Sequence, residues 1–303
     1  MKKKVRRPWN WPKTKMTARA FAPAKVNLTL HVTGKRGDGK HLLDSLVGFA
    51  SVGDFVTVNP STRPGLTVTG PEAAGVPTNR DNLVEKVATA FPKAGPLQIE
   101  LVKNLPVASG IGGGSADAAA CFRAICQLDG GRDDVPTMRS LLALGADIPM
   151  CVQSTASHIR GIGEVIAPVE SFPVLSVVLA NPRLEVSTRA VFASLEQPNN
   201  APMEELPDNL SDIAVLIPWL RRQRNDLQSA AIRLTPEISV TLDSLSATPN
   251  CQLARMSGSG ATCFGLYRSA NEAEMAANTL QSAHSDWWVV ATELGNQDVA
   301  LLS

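Results

Sequence analysis

Four glycines fall within five positions at Gly110, Gly112, Gly113 and Gly114, inside the stretch Leu105-Pro106-Val107-Ala108-Ser109-Gly110-Ile111-Gly112-Gly113-Gly114-Ser115-Ala116-Asp117. A helix-forming run, Ala118 to Cys126, follows at once. Glycine accepts positive φ and has no Cβ, so another group can approach its backbone closely. Ser115 is placed to cap the coming helix. The first N–H groups of a helix have no partner inside it, and its dipole favours negative charge there. Together these features make an anion site, and phosphate is the anion it suits. A plain strand-to-helix turn would use one or two glycines. Two other phosphate patterns are not met. G-x-G-x-x-G fails from Gly110, where Ser115 takes the third place. Gly34 to Lys40 reads G-x-x-x-x-G-K, but His41 stands where Ser or Thr would hold Mg²⁺.

A cation and an acid stand elsewhere in the chain. Ala24 to Val32 alternates, with Val26, Leu28, Leu30 and Val32 on one face and Lys25, Asn27, Thr29 and His31 on the other. Lys25 and Asn27 on one strand face could meet a ligand, although a solvated face reads the same way. Met138 to Leu144 has helical spacing and stops at Gly145. Pro149 biases Ile148 away from helix, so Asp147 sits at a forced break, where it caps a short helix or does chemistry. A second glycine cluster, Ser257-Gly258-Ser259-Gly260, precedes a strand at Cys263 to Tyr267; it reads as a turn or another close approach to phosphate.

The elements that must position these groups follow from periodicity. His41 to Ala50 reads as a strand or short helix, and Val52 to Val58, Leu66 to Val68 and Leu97 to Val102 as strands. Asn82 to Phe91 carries a helical stripe of Leu83, Val87 and Ala90. The helix after the glycine loop is expected to stop at Asp129-Gly130-Gly131. The second half supplies strands at Val174 to Ala180 and Trp287 to Thr292. Its expected helices span Ser187 to Leu195, Ile213 to Leu220, Asn225 to Leu234 and Glu272 to Ala283, with loop over 197–212.

The chain has 303 residues, 44% of them hydrophobic, enough for two domains with substantial cores. The turn at Gly161-Ile162-Gly163-Glu164 marks the expected boundary. No apolar run reaches the roughly 18 residues that span a bilayer, and no apolar h-region follows the basic N-terminus. Five cysteines without a C-x-x-C pair suit a reducing, cytoplasmic setting. The four histidines lack ligand spacing, so no zinc site is expected. Residues 1–15 hold seven of the 29 basic residues and no acid, leaving 22 against 28 acidic ones in the rest. Broken by Pro8 and Pro12, this stretch is expected to be a disordered tail ahead of a natural start at Met16.

Three blocks carry a resemblance: Pro23-Ala24-Lys25-Val26-Asn27, the glycine loop 106–116, and Met256-Ser257-Gly258-Ser259-Gly260-Ala261. Together they resemble the GHMP kinase superfamily. More narrowly, Pro-Ala-Lys-x-Asn-Leu, Gly-Asp-Gly-x-His, Leu-Gly-Ala-Asp-Ile-Pro and Gly-Ile-Gly-Glu resemble its branch acting on a cytidine-diphosphate ester of methylerythritol, in the non-mevalonate route to isoprenoid precursors. The match runs in order from Phe21 to Tyr267.

The resemblance implies an α+β fold of two domains, 16–160 and 161–303, the first ribosomal S5 domain 2-like and the second ferredoxin-like, with the site between them. It implies transfer of the ATP γ-phosphoryl group, with Mg²⁺, to a hydroxyl of the acceptor. The catalytic lysine and aspartate fall on Lys25 and Asp147. The ATP loop falls on Pro106, Val107, Ala108, Ser109, Gly110, Ile111, Gly112, Gly113, Gly114, Ser115 and Ala116, with Asn82 on the adenine side. The acceptor's positions fall on Asn27, His41, Thr188 and Phe192. The implied partner is a small molecule, with neither membrane nor nucleic acid, and the implied protein is a monomer or homodimer.

Two departures stand out. The superfamily branch has Tyr where this chain has Lys40, so one aromatic wall of the base site is missing and weaker base stacking is expected. Ala116-Asp117 replaces a common Ser-Asn and removes a hydroxyl near the phosphates. The rivals are a GHMP kinase for homoserine, mevalonate or a sugar, and a non-catalytic protein on the same fold.

Overall fold

A computed structural model describes residues 17–90, 95–128 and 138–297. The basic stretch 1–15, Met16, Phe91 and the stop at Asp129-Gly130-Gly131 lie outside them.

The fold is built on one long strand. The expected elements at His41 to Ala50 and Val52 to Val58 are a single strand, β3 (His41–Pro60), of 20 residues. No proline or turn dipeptide interrupts Ser51-Val52-Gly53, so pairing continues through them. β1 (Ala18–Asn27), β2 (His31–Lys35) and β5 (Leu97–Val102) all pair antiparallel with β3, and β4 (Gly65–Thr69) lies parallel to β5. β6 (Ser157–Gly161) also pairs with β3 and forms a hairpin with β7 (Val165–Pro168). The boundary expected at Gly161–Glu164 is therefore the turn of this hairpin, and the sheet runs on through it.

In the second half, β8 (Leu175–Asn181), β9 (Leu253–Met256), β10 (Cys263–Tyr267) and β11 (Trp288–Gly295) complete the sheet in the order β4-β5-β3-β11-β8-β10-β9. The last strand thus sits in the middle, between β3 and β8.

The helices are α1 (Leu83–Ala90), α2 (Gly113–Leu128), α3 (Met138–Leu144), α4 (Ile148–Gln153), α5 (Thr188–Ala193), α6 (Ile213–Arg222), α7 (Gln228–Leu234), α8 (Glu237–Ala247) and α9 (Ala270–Ala283). α2 is rich in alanine, the best helix former. Ala116, Ala118, Ala119 and Ala120 share a core with Ala18, Ala20 and Ala22 of β1, and small residues on both partners let helix and strand lie close. Ser115 is not the cap expected of it, because α2 begins two residues earlier, at Gly113. Pro149 sits in the first turn of α4, where its missing N–H costs nothing, so Ile148 is helical after all.

One irregularity turns the functional face inward. The register between β1 and β3 shifts between Pro23 and Lys25. Across the shift the even-numbered residues change core: Ala18, Ala20 and Ala22 pack beneath α2, whereas Ala24, Val26 and Leu28 join the central core. Such a shift re-aims side chains, and here it presents Lys25 and Asn27 to the cleft. The four polar residues expected on one face are all buried, at 0–6% exposure, but they part company. Pairing breaks after Asn27; the Thr29 hydroxyl accepts from Leu46 N–H at 2.8 Å, and His31 approaches the Ala201 carbonyl.

Arg255 ties the break in this strand to the second half. Its guanidinium, 6% exposed, donates to the carbonyls of Leu28 (2.8 Å), Leu220 (2.8 Å) and Gln223 (2.7 Å). Burial lowers its pKa to about 10, so it remains charged at neutral pH. Arg255→Met takes the donor from the carbonyls of Leu28 and Gln223, each costing about 1–3 kcal/mol when unsatisfied, while the Leu220 carbonyl keeps Gln223 N–H at 3.0 Å. With partial relaxation, urea unfolding should show a loss of about 2–4 kcal/mol.

Candidate active site

The loop after β5 turns by alternation. Left-handed φ recurs at Ala108 (49°), Gly110 (76°) and Gly112 (65°), the kind of conformation in which successive N–H groups form an anion-binding concavity. The second glycine cluster backs this loop. A Cβ on Gly110 would lie 2.5 Å from the Ser257 carbonyl oxygen and 2.7 Å from that of Gly260. A Cβ on Gly258 would lie 2.5 Å from the Gly110 carbonyl oxygen. The Ser257 hydroxyl donates to that oxygen at 3.1 Å and accepts from Asn27 N–H at 3.1 Å. Thr262 N–H donates to the Ser109 carbonyl at 3.0 Å, and Lys25 N–H to that of Ile111 at 2.9 Å. The close approach read from the second cluster is thus made to the first loop.

Lys25 stands beside the loop. Its ammonium donates to Asn27 Oδ1 and to Asp147 Oδ2, both at 2.9 Å. Asn27 is held in turn by donating to Ser45 Oγ at 2.8 Å. The Lys25 side chain is 7% exposed and that of Asp147 37%. Asp147 occupies the cap position of α4 yet makes no side-chain capping bond; its carboxylate faces Lys25 instead. A buried cation therefore holds a half-open carboxylate at the cleft.

A cavity of about 1150 Å³ collects these groups. Lys25, Asn27, His41, Asn82, Thr188, Phe192 and Asp147 line it, together with Pro106 to Gly110 and Gly112 to Ser115. Two loop residues turn their side chains away from the cavity. Ile111 and Ala116 are 0% exposed and point into the cores, because an apolar side chain on either side of the glycines anchors the turn. Asn82 caps α1, accepting from Val84 N–H at 2.9 Å and donating to the Pro77 carbonyl at 2.8 Å. The Thr188 hydroxyl shares a 2.8 Å hydrogen bond with Ser259 Oγ.

At the acceptor end, the His41 ring stacks on Phe192, with centroids 4.8 Å apart and planes at 26°. That spacing admits no ring between them. Burial, then the nearby Lys35, lowers the His41 pKa, so its imidazole is neutral at pH 7. Apart from the buried Lys103–Asp117 pair, five cationic side chains line the cavity against the two acids Asp81 and Asp147, a balance that draws anionic ligands. Sequence reading did not single out Lys35, Arg139 or Arg189 among them. Their signal, isolated basic residues outside any motif, is too common to use. Among the described residues no group of three His, Cys, Asp or Glu side chains forms a metal cage, and no helix is long and apolar enough to cross a membrane.

The sequence profile of the GHMP kinases N terminal domain matches residues 82–167, and that of the GHMP kinases C terminal matches residues 204–286. The chain belongs to the GHMP kinases, with the two-domain fold and the ATP-dependent phosphotransfer of that family. A protein of Roseobacter denitrificans named 4-diphosphocytidyl-2-C-methyl-D-erythritol kinase is 53% identical over 279 residues, covering 91% of this chain and 93% of its own. A crystal structure of 4-(cytidine 5'-diphospho)-2C-methyl-D-erythritol kinase superposes with a TM-score of 0.74 at 31% identity, covering 92% of this chain and all of that one. Homoserine kinase from Cytophaga hutchinsonii reaches 0.68 at 18% identity, covering 97% of this chain and all of its own, a likeness of fold alone.

Gly110→Ala tests the packing of the two loops. It forces a left-handed alanine, costing about 1–2 kcal/mol, and drives a Cβ into backbone oxygens. We expect lower thermal stability and a raised KM for ATP, read by thermal unfolding and steady-state kinetics.

Proposed function

We propose that the protein transfers the γ-phosphoryl group of ATP to the 2-hydroxyl of 4-diphosphocytidyl-2-C-methyl-D-erythritol, giving the 2-phosphate and ADP. The observation that carries this reading is the Lys25–Asp147 pair, 2.9 Å apart, in the same cavity as the glycine loop. Relatives about half identical over nine tenths of the chain support the choice of acceptor.

Phosphoryl transfer asks a protein mainly for positioning and charge stabilisation. The N–H groups of residues 110–115 face the ATP phosphates, where fixed donors stabilise developing charge. Asp147 accepts the proton of the attacking hydroxyl. Lys25, 2.9 Å from Asp147, orients its carboxylate and steadies the nascent alkoxide. Asn27 holds the Lys25 ammonium and meets the acceptor. Phe192 and His41 take the cytosine once their stack opens, Thr188 takes the acceptor's phosphates, and Asn82 shapes the adenine side.

Mg²⁺ bound with the nucleotide would supply neutralisation of phosphate charge, with Asp147 and Asp81 the acids of the lining that could face it. A lining of single carboxylates rather than clusters suits an ion held chiefly by phosphate oxygens and water. In this reading the protein acts in the cytoplasm, as a monomer or homodimer, through lobes 16–160 and 161–303, with no nucleic-acid partner.

The test is ADP release with Mg-ATP and the cytidyl acceptor, run beside homoserine, mevalonate and galactose. Turnover with the cytidyl acceptor alone is expected, and turnover confined to another acceptor would reject the substrate. Asp147→Asn should lower kcat by about 10²–10⁴-fold, the usual contribution of a general base, while calorimetry shows ATP still bound. A wild-type kcat in that variant would remove Asp147 from its role.

A further inference from the structure

Beneath the phosphate loop lies a charged cluster that the chemistry above does not use. Lys103, just past β5, Asp54 of β3 and Asp117 of α2 are 3%, 0% and 3% exposed. The Lys103 ammonium donates to Asp117 Oδ2 at 2.9 Å and to Asp54 Oδ2. Asp54 Oδ1 accepts from the N–H groups of Asn104 (2.6 Å) and Leu105 (2.9 Å). Asp117 has no such support: its Oδ1 is buried without a hydrogen-bond partner. Gly113, where α2 begins, lies directly over the cluster, and a Cβ there would be 3.4 Å from Lys103 Nζ and 3.8 Å from Asp54 Oδ2.

Two ionised carboxylates on one ammonium would leave an uncompensated negative charge in this dry interior, an expensive arrangement. It would also sit under a loop built to receive anions. Asp54, with an ammonium and two backbone donors, is well supported as the carboxylate. Asp117, with one donor and one bare oxygen, is not. We propose that Asp117 is a neutral carboxylic acid in the folded protein, which leaves the Asp54–Lys103–Asp117 cluster without net charge and makes Asp117 a positioning residue for nucleotide binding.

The electrostatics agree. Burial, opposed by Lys103 and reinforced by Asp54, pushes the Asp117 carboxyl well above the usual range. Asp117 in turn bears on two buried thiols, Cys121 of α2 and Cys151 of α4. Burial pushes both up, Cys151 to about 12, so neither adds charge. Glu85 of α1 and Asp147 of α4 act on those thiols rather than on Asp117.

A carboxyl raised in the folded state stabilises it fully below the unfolded value of about 3.9, and that contribution is lost as pH climbs to the folded value. Asp117→Asn cannot ionise. Its melting temperature, measured against wild type from pH 4 to pH 9, should therefore gain on wild type as pH rises. The opposite slope, a deficit at pH 7 that closes towards pH 4, is the signature of an ionised, paired Asp117 and would overturn the proposal. Should the variant not fold, infrared spectroscopy of the wild type labelled with ¹³C-aspartate decides. A protonated carboxylic acid band at pH 7 is expected, and its absence refutes the assignment.

The positioning role rests on the ATP-site reading above, whereas the stability and infrared measurements do not. Calorimetry of ADP binding should show wild-type affinity falling roughly tenfold on the alkaline side as Asp117 ionises, with Asp117→Asn flatter. An equal fall in both proteins would remove the link to the nucleotide.

Discussion

The structure depends on two pieces of backbone lying against each other with no side chain between them. Gly110 and Gly258 come from distant parts of the chain and meet at distances a single Cβ would forbid. The contact gives the phosphate loop a rigid floor. Asn225 sustains it from behind, donating to the carbonyls of Met256 and Gly258 at 2.8 and 2.9 Å. Loops that carry function need such a scaffold if their N–H groups are to stay aimed. The Lys25 backbone, bonded to Ile111, then fixes the cation relative to the same floor.

The cleft combines a permanent bias with an adjustable end. At the nucleotide end the lining is backbone and buried charge, held by bonds on every side. At the acceptor end Lys40 and Arg189 are exposed, and Phe192, packed against the second-half core, stacks on the His41 ring. Lys40 also marks where an aromatic wall was expected. In the proposed reading a flat base enters only if the two rings separate, so base binding would compete with the His41–Phe192 contact.

Local features of the site were legible because local physics produced them. The glycine run and its helix, the alternation that places Lys25 and Asn27 together, and the break at Asp147 each follow from a few adjacent residues. What stayed hidden depends on distant partners. The length of β3 follows from five neighbouring strands, and Ser157-His158-Ile159-Arg160-Gly161 is a strand because β3 and β7 lie on either side of it. α8 was missed because Ile238, Val240 and Leu242 alternate as a strand would, while its buried positions, Ile238, Thr241 and Leu245, include a threonine. Ile111 and Ala116 sit inside a functional motif yet serve the cores, a division that residue spacing does not express. Asp54, Lys103 and Asp117 are far apart in the chain, so only the folded sheet brings them together.

The placement of β11 gives the chain an order in time. Translation makes Lys25, the glycine loop and Asp147 within the first half, but the strand that fills the gap between β3 and β8 emerges near the end. Until then the sheet is open at its centre, and the floor at Ser257–Gly260 has only just been synthesised. Contacts of such long sequence separation form late and slowly. A nascent chain on the ribosome thus holds both members of the Lys25–Asp147 pair well before it has the loop packed beside them, and the cleft is complete with the closing of the sheet rather than with the synthesis of that pair.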